Sequence, residues 1–178
     1  LALTYKLNAT PGRHTQGGEL IGPLGYKLPG AELPKYQSSG KGQMHKVQSA
    51  LVHTLNATGG CLFAYISYPV QYIPDFLTAI TGWEYTVDDC ITIGERIENI
   101  RHAFNLREGL NPLEFDLHGR LTGNPPLEAG NLRGVTLDVD TMVREYCQEM
   151  RWNTETARPD SRRLRELGLD FLVRDVGA

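Results

Sequence analysis

Met44-His45-Lys46-Val47-Gln48-Ser49-Ala50-Leu51-Val52-His53-Thr54-Leu55-Asn56-Ala57-Thr58-Gly59-Gly60-Cys61 is the stretch on which the fold turns. Met44, Val47, Leu51 and Leu55 recur every three or four residues, the spacing of one face of a helix, which predicts a helix over 43–58. Gly59 or Gly60 can take the left-handed angles that close such a helix without a Cβ clash. Cys61 therefore leaves the turn at a fixed point. The run Leu62-Phe63-Ala64-Tyr65-Ile66 that follows is too apolar for a solvent loop, so the thiol is expected to face an interior or an interface. A metal ligand and a buried, inert thiol both suit that position.

Outward from this stretch the chain alternates helical patterns with loops. Leu1 to Ala9 reads as the end of a helix stopped by Thr10-Pro11-Gly12, since proline cannot continue the hydrogen-bond ladder. The segment from Gln16 to Gly40 carries Pro23, Pro29 and Pro34 and is expected to be one long, functional or partner-facing loop. Pro74 is suited to open a short helix running to Gly82. The most regular pattern, 87–106, has Thr86 as its N-cap and Asp88 and Asp89 in its first turn. Its expected buried stripe is Val87, Cys90, Ile91, Ile97, Ile100 and Phe104, with Gly94 allowing another backbone to come close. After a second long loop, Asp140 is read as the cap of a helix through Met142, Tyr146, Cys147 and Met150. Asp160 caps a last short one, closed by Gly168, whose Arg162, Arg163 and Arg165 read as a solvated face. Only Leu62 to Ile66 and Leu132 to Thr136 offer strand candidates. The fold class is mainly α: an irregular multi-helix domain of five or six helices with two long loops, spanning residues 1–178 as a single unit.

A net charge of −3 with mixed signs gives no field for nucleic acid or anionic lipid. No apolar run approaches the ~20 residues of a membrane helix. Three cysteines, Cys61, Cys90 and Cys147, are odd in number and widely spaced, which argues against a disulfide framework and for a reducing, cytoplasmic setting. A start on Leu inside an apolar segment suggests a fragment of a larger protein. Cys90 and Cys147 lie on apolar stripes and read as core.

No local motif is sufficient for catalysis. The five histidines, His14, His45, His53, His102 and His118, lack the close pairing of a zinc site, and neither a Cys-x-x-Cys, a serine nucleophile elbow nor a phosphate-binding glycine loop occurs. His14, in a Gly-Arg-His loop flanked by hydrogen-bonding residues, is the best candidate for acid–base work, with an exposed loop histidine as the alternative.

Several segments, in order, resemble one family. Leu1-Ala2-Leu3-Thr4-Tyr5 running into His14, then Asn56-Ala57-Thr58-Gly59-Gly60-Cys61, then Thr81-Gly82-Trp83 with Gly94-Glu95-Arg96-Ile97-Glu98-Asn99-Ile100-Arg101 and Phe104-Asn105-Leu106-Arg107-Glu108-Gly109, then Met150-Arg151-Trp152-Asn153 with Leu164-Arg165-Glu166-Leu167-Gly168-Leu169, are similar to the C-terminal domain of the aldehyde ferredoxin oxidoreductases. That resemblance implies a full-length protein holding a tungsten or molybdenum bis-pterin beside a [4Fe–4S] cluster, oxidising aldehydes to acids and passing electrons to ferredoxin. It implies that Cys61 supplies the fourth cluster ligand, three coming from upstream domains of the same polypeptide, that His14 handles a proton, and that Asn56, Gly59 and Gly60 lie against the pterin. In the family an aspartate opens the Asn56 motif; the amide here keeps an acceptor but loses the charge. Arg96, Glu98, Asn99, Arg101 and Arg107 are expected to hold their helix to its neighbours through buried polar contacts. Alternatives are a same-cofactor subunit reducing an aromatic acyl-thioester and a non-catalytic helical binding module. The isolated fragment is expected to hold no cofactor, and the whole protein has the option of a homo-oligomer.

Overall fold

A computed structural model of the chain describes residues 1–10, 12–15, 17 and 24–176. Pro11, Pro23 and most of the first third of the loop from Gln16 to Gly40 lie outside the described residues. Among those described, eight α-helices form: α1 (Ala2–Leu7), α2 (Lys41–Ala57), α3 (Leu62–Tyr65), α4 (Tyr72–Thr81), α5 (Val87–Arg107), α6 (Gly119–Thr122), α7 (Val139–Met150) and α8 (Ser161–Glu166). Two, α3 and α6, are single turns of four residues, which accounts for the excess over the five or six expected. Pairing among the described residues is limited to isolated bridges, such as Leu24 with Pro69, so both strand candidates fail. Leu62–Tyr65 is one helical turn instead.

The mainly α architecture is built on α2, which packs along α5 on one side and α7 on another, while α1 lies on α7. Three apolar clusters surround it. Leu3, Leu7, Tyr146, Met150 and Trp152 join α1 to α7; Leu51, Val52, Tyr65, Ile73 and Cys90 join α2 to α4 and α5; Leu164, Leu167, Leu169 and Ala103 seat the C-terminal segment on α5.

Local signals place most helix ends. Thr86 and Asp89 form a reciprocal capping box at the start of α5, Thr86 Oγ1 accepting from Asp89 N at 3.1 Å. Gly82 takes φ 75° after α4. That helix starts at Tyr72, two residues before Pro74, which sits in the first turn where its missing N–H costs nothing. The cap of α7 is Asp138, whose carboxylate accepts from Thr141 N at 2.9 Å; Asp140, the expected cap, lies inside the first turn. Asp160 caps α8 as expected, accepting from Arg162 N and Arg163 N.

The start of α2 is capped from far away. Gly40, at φ 80°, has no side chain to offer. Glu145 of α7 reaches across and accepts from Gly40 N at 2.8 Å and Lys41 N at 3.2 Å, satisfying orphan amides and placing negative charge at the positive helix end. Glu145→Ala is therefore expected to lower stability by about 1–2 kcal/mol, read as a lower urea midpoint at unchanged slope.

The largest departure concerns α5. Ile100 and Phe104, expected in the core, are 39% and 54% exposed, and Val87, Ile91 and Ile97 are only half-buried. The buried face is Cys90, Gly94, Glu95, Glu98, Asn99, His102 and Ala103, mostly polar. These residues keep helical spacing, but hydrophobicity points to the wrong side.

Candidate functional site

The C-terminal end of α2 is closed by Gly59 at φ +76°, with Gly60 N donating to the Leu55 carbonyl at 3.0 Å. Cys61 follows in an extended conformation, and its carbonyl accepts from Tyr65 N to start α3. Because α3 coils at once, Tyr65 turns inward while Cys61, Phe63 and Ala64 stay exposed. Of the two settings expected for this thiol, the interior of this chain is ruled out and an interface is left: Cys61 lies on the outer surface of the chain, beside a Phe63 that is 78% exposed. Cys90 and Cys147 are fully buried, and burial pushes both thiols up to about 11, leaving them unreactive. Of the three cysteines, Cys61 is the exposed one.

His14 is exposed in the turn that follows α1. Gly12, at φ +79°, donates its N–H to the Tyr5 carbonyl at 3.3 Å, which doubles the chain back along α1. The His14 ring then stands edge-on to Tyr5, centroids 5.8 Å apart, with Nδ1 3.2 Å from the phenolic oxygen. The base of the turn is tied down on three sides. Asn8 Oδ1 accepts from Thr10 N and Thr10 Oγ1, Asn105 Nδ2 donates to the Ala9 carbonyl at 2.7 Å, and Arg101 Nη2 reaches Thr10 Oγ1 at 3.5 Å. Asn56, exposed at the end of α2, donates from Nδ2 to the Thr15 carbonyl at 3.5 Å. So Asn56, Gly59, Gly60 and Cys61 share one helix end, and the His14 turn docks on that end through Asn56.

Beneath this surface lies a buried polar network that periodicity did not reveal. Glu98, 4% exposed, accepts from Ser49 Oγ at 2.7 Å and from the Tyr146 hydroxyl at 2.6 Å, and its Oε2 lies 3.4 Å from His53 Nε2. Arg101 Nη1 donates to His53 Nδ1 at 3.2 Å; a guanidinium can only donate, so the imidazole proton sits on Nε2, facing Glu98. Burial pushes the Glu98 carboxyl up, but His53 and the three hydrogen bonds outweigh it and hold it at about 2. Glu95, equally buried, takes a bidentate pair from Arg163 at 2.8 Å and the Lys46 ammonium at 3.4 Å. Arg163 is thus a structural clamp and not part of a solvated face, whereas Arg162 and Arg165 are exposed as expected. Asn99 accepts from Trp152 Nε1 at 2.9 Å, and His102 stacks on Trp152 at 3.7 Å while donating to the Ala157 carbonyl. Of the five residues expected to anchor α5, Glu98, Asn99 and Arg101 do so; Arg96 and Arg107 are exposed. The available clue was the spacing of four among Cys90, Gly94, Glu98 and His102.

A cavity of about 600 Å3 opens on the α1 side of α2, with Tyr5, Met44, His45, Gln48 and Met142 among its walls. Burial holds His45 down to about 4, against the pull of Glu98, so its imidazole is neutral there at pH 7. No helix among the described residues is long and apolar enough to cross a membrane.

The sequence profile of the family "Aldehyde ferredoxin oxidoreductase, domains 2 & 3" matches residues 1–169. The tungsten-containing aldehyde ferredoxin oxidoreductase of Pyrococcus horikoshii is 32% identical over 170 residues, covering 94% of this chain and 27% of that protein. Its counterpart in Thermococcus kodakarensis is 31% identical over 173 residues, covering 96% of this chain and 28% of that protein. The chain thus spans little more than a quarter of the relatives it matches. A solved structure of the active site complex BamBC of benzoyl coenzyme A reductase, with 1,5-dienoyl-CoA, aligns with TM-score 0.62 at 17% identity over 80% of this chain and 21% of that one, a likeness of fold.

Proposed function

Since this chain belongs to the aldehyde ferredoxin oxidoreductase family, we propose that it is the C-terminal part of a tungsten-pterin and iron–sulfur enzyme that oxidises aldehydes to carboxylic acids and passes the electrons to ferredoxin. The observation that carries this reading is the exposed Cys61 thiol at a glycine-fixed turn, with the His14 turn docked on the same helix end. The donor set fits the group: a thiolate is the soft ligand iron–sulfur clusters take, and a side chain added at Gly59 would meet nothing within 4 Å, so a cofactor has room to approach. The remaining cluster ligands would come from upstream domains of the same polypeptide, as the family resemblance implies. When bound, tungsten bis-pterin and cluster supply the two-electron chemistry of RCHO + H2O → RCOOH + 2 e⁻ + 2 H⁺.

The residue roles are those the family resemblance implies. Cys61 would hold the cluster, the Gly59–Gly60 backbone would lie against the pterin, and His14 would take a proton released in the oxidation. Asn56 would serve this site through its amide, which can donate to the Thr15 carbonyl where a carboxylate could not. The exposed Phe63, Phe76, Ile80 and Trp83 would be covered by the upstream domains.

The test is Cys61→Ser in the full-length protein, read by iron content and by aldehyde-dependent dye reduction. Even outer-shell partners of a metal ligand are worth roughly 10–100-fold, so loss of the ligand itself should cost at least about 100-fold in activity, along with most of the cluster iron. An unchanged cluster would refute the assignment. Cys147→Ala, at a buried thiol, should retain its iron.

A further inference from the structure

The turn carrying His14 is held against Tyr5 by backbone and side chain together. Gly12 N donates to the Tyr5 carbonyl and Arg13 N to the Thr10 carbonyl, both at 3.3 Å, while the Tyr5 ring supplies an edge contact and its hydroxyl meets Nδ1 at 3.2 Å. The partners of this bond are nine residues apart, so only the doubling back at Gly12 brings them together. Charged groups at the turn are Arg13 itself and Arg101, anchored on Thr10 and His53. Neither a carboxylate nor a backbone carbonyl is bonded to the His14 ring among the described residues.

A hydroxyl can donate to a neutral Nδ1 or accept from Nδ1–H. Only the second arrangement survives when the ring gains a proton, because an imidazolium has no lone pair to receive one. We propose that Tyr5 is a positioning residue for His14: its phenolic oxygen accepts Nδ1–H, which fixes the tautomer whose Nε2 lone pair points away from Tyr5 and is free to take a proton. This rests on the reading of His14 as the proton acceptor in aldehyde oxidation. It assigns to a neutral phenol the orienting task that a carboxylate performs for many catalytic histidines.

Tyr5→Phe in the full-length enzyme keeps the ring edge and removes the oxygen. The readout is hydrogen–deuterium exchange at the C2 carbon of each histidine ring, followed by mass spectrometry across pH. Because the lost bond favours the protonated ring, the exchange midpoint of His14 should fall by about half a pH unit, while that of exposed His118 stays put. A midpoint that stays or rises overturns the proposal, a rise meaning that the hydroxyl donates. The unmoved His118 midpoint, with wild-type circular dichroism, separates this from misfolding, and Tyr5→Leu must lower the midpoint likewise. In steady-state assays Tyr5→Phe should lower kcat several-fold at unchanged KM. A shifted midpoint with wild-type kcat would sink the role given to His14 and leave the Tyr5 bond standing.

Discussion

Gly94→Ala is expected to destabilise the chain by about 3 kcal/mol or more, the opposite of what helix propensity alone requires. Alanine in place of glycine inside a helix is worth up to ~1 kcal/mol of stabilisation. At Gly94, however, an added Cβ would fall inside the carbonyl group and Cα of Ala50, backbone atoms that cannot turn aside. The two longest helices would have to separate at their crossing. Polar bonds spanning that crossing include Thr54 Oγ1 to the Cys90 carbonyl at 2.6 Å, Ser49 and His53 to Glu98, Arg101 to His53, and Lys46 to Glu95. Separation weakens all of them together with the Leu51 and Val52 contacts on the same face. Chemical unfolding of Gly94→Ala beside Arg96→Ala, an exposed position on the same helix expected to stay within about 0.5 kcal/mol, decides the matter. A stabilised Gly94→Ala variant would mean that α2 and α5 do not meet there.

Glu98→Ala should cost about 3–5 kcal/mol, the range seen when one partner of a buried ionic group is removed and the other is left behind. Ser49, Tyr146 and His53 would each keep a buried polar atom aimed at a vacancy. Glu98→Gln retains one acceptor oxygen and should cost less, about 1–3 kcal/mol. The pH dependence carries a second signature. The folded state holds Glu98 at about 2 against an ordinary 4.5, so its contribution is complete above 4.5 and is lost as pH falls from there towards 2. His45, held down to about 4 from an ordinary 6.5 by burial, takes its proton less readily folded than unfolded. Stability supplied by its neutral form is therefore lost as pH falls from 6.5 towards 4, and His102, also lowered by burial, acts in the same direction. Wild-type unfolding free energy should decline in two stages below pH 6.5. Glu98→Ala should make the lower stage shallower without abolishing it, since Asp89, Asp138 and Glu166 are also held below their ordinary values by hydrogen bonds; equal slopes for variant and wild type between pH 4.5 and 2 would count against the network as described.

The sequence by itself determined the longer helices and several of their ends. Leu51 and Leu55 at helical spacing, the Thr86 and Asp160 caps, and the stops at Gly59 and Gly82 are all local effects, set by side chains within one or two turns of where they act. The family motifs around His14 and Cys61 were legible for the same reason. Tertiary structure alone decided which face of α5 is inside. Periodicity locates a core only when the buried side chains are apolar, and here Glu95, Glu98, Asn99 and His102 are buried because partners distant in sequence satisfy them: Ser49, Tyr146, Trp152, Arg163 and the Ala157 carbonyl. Ile100 and Phe104 are left outside by the same choice. Likewise the outward turn of Cys61, the meeting of Tyr5 with His14 and the capping of α2 by Glu145 depend on where other segments lie, because a hydrogen bond or a clash depends on distance in space and not on separation along the chain.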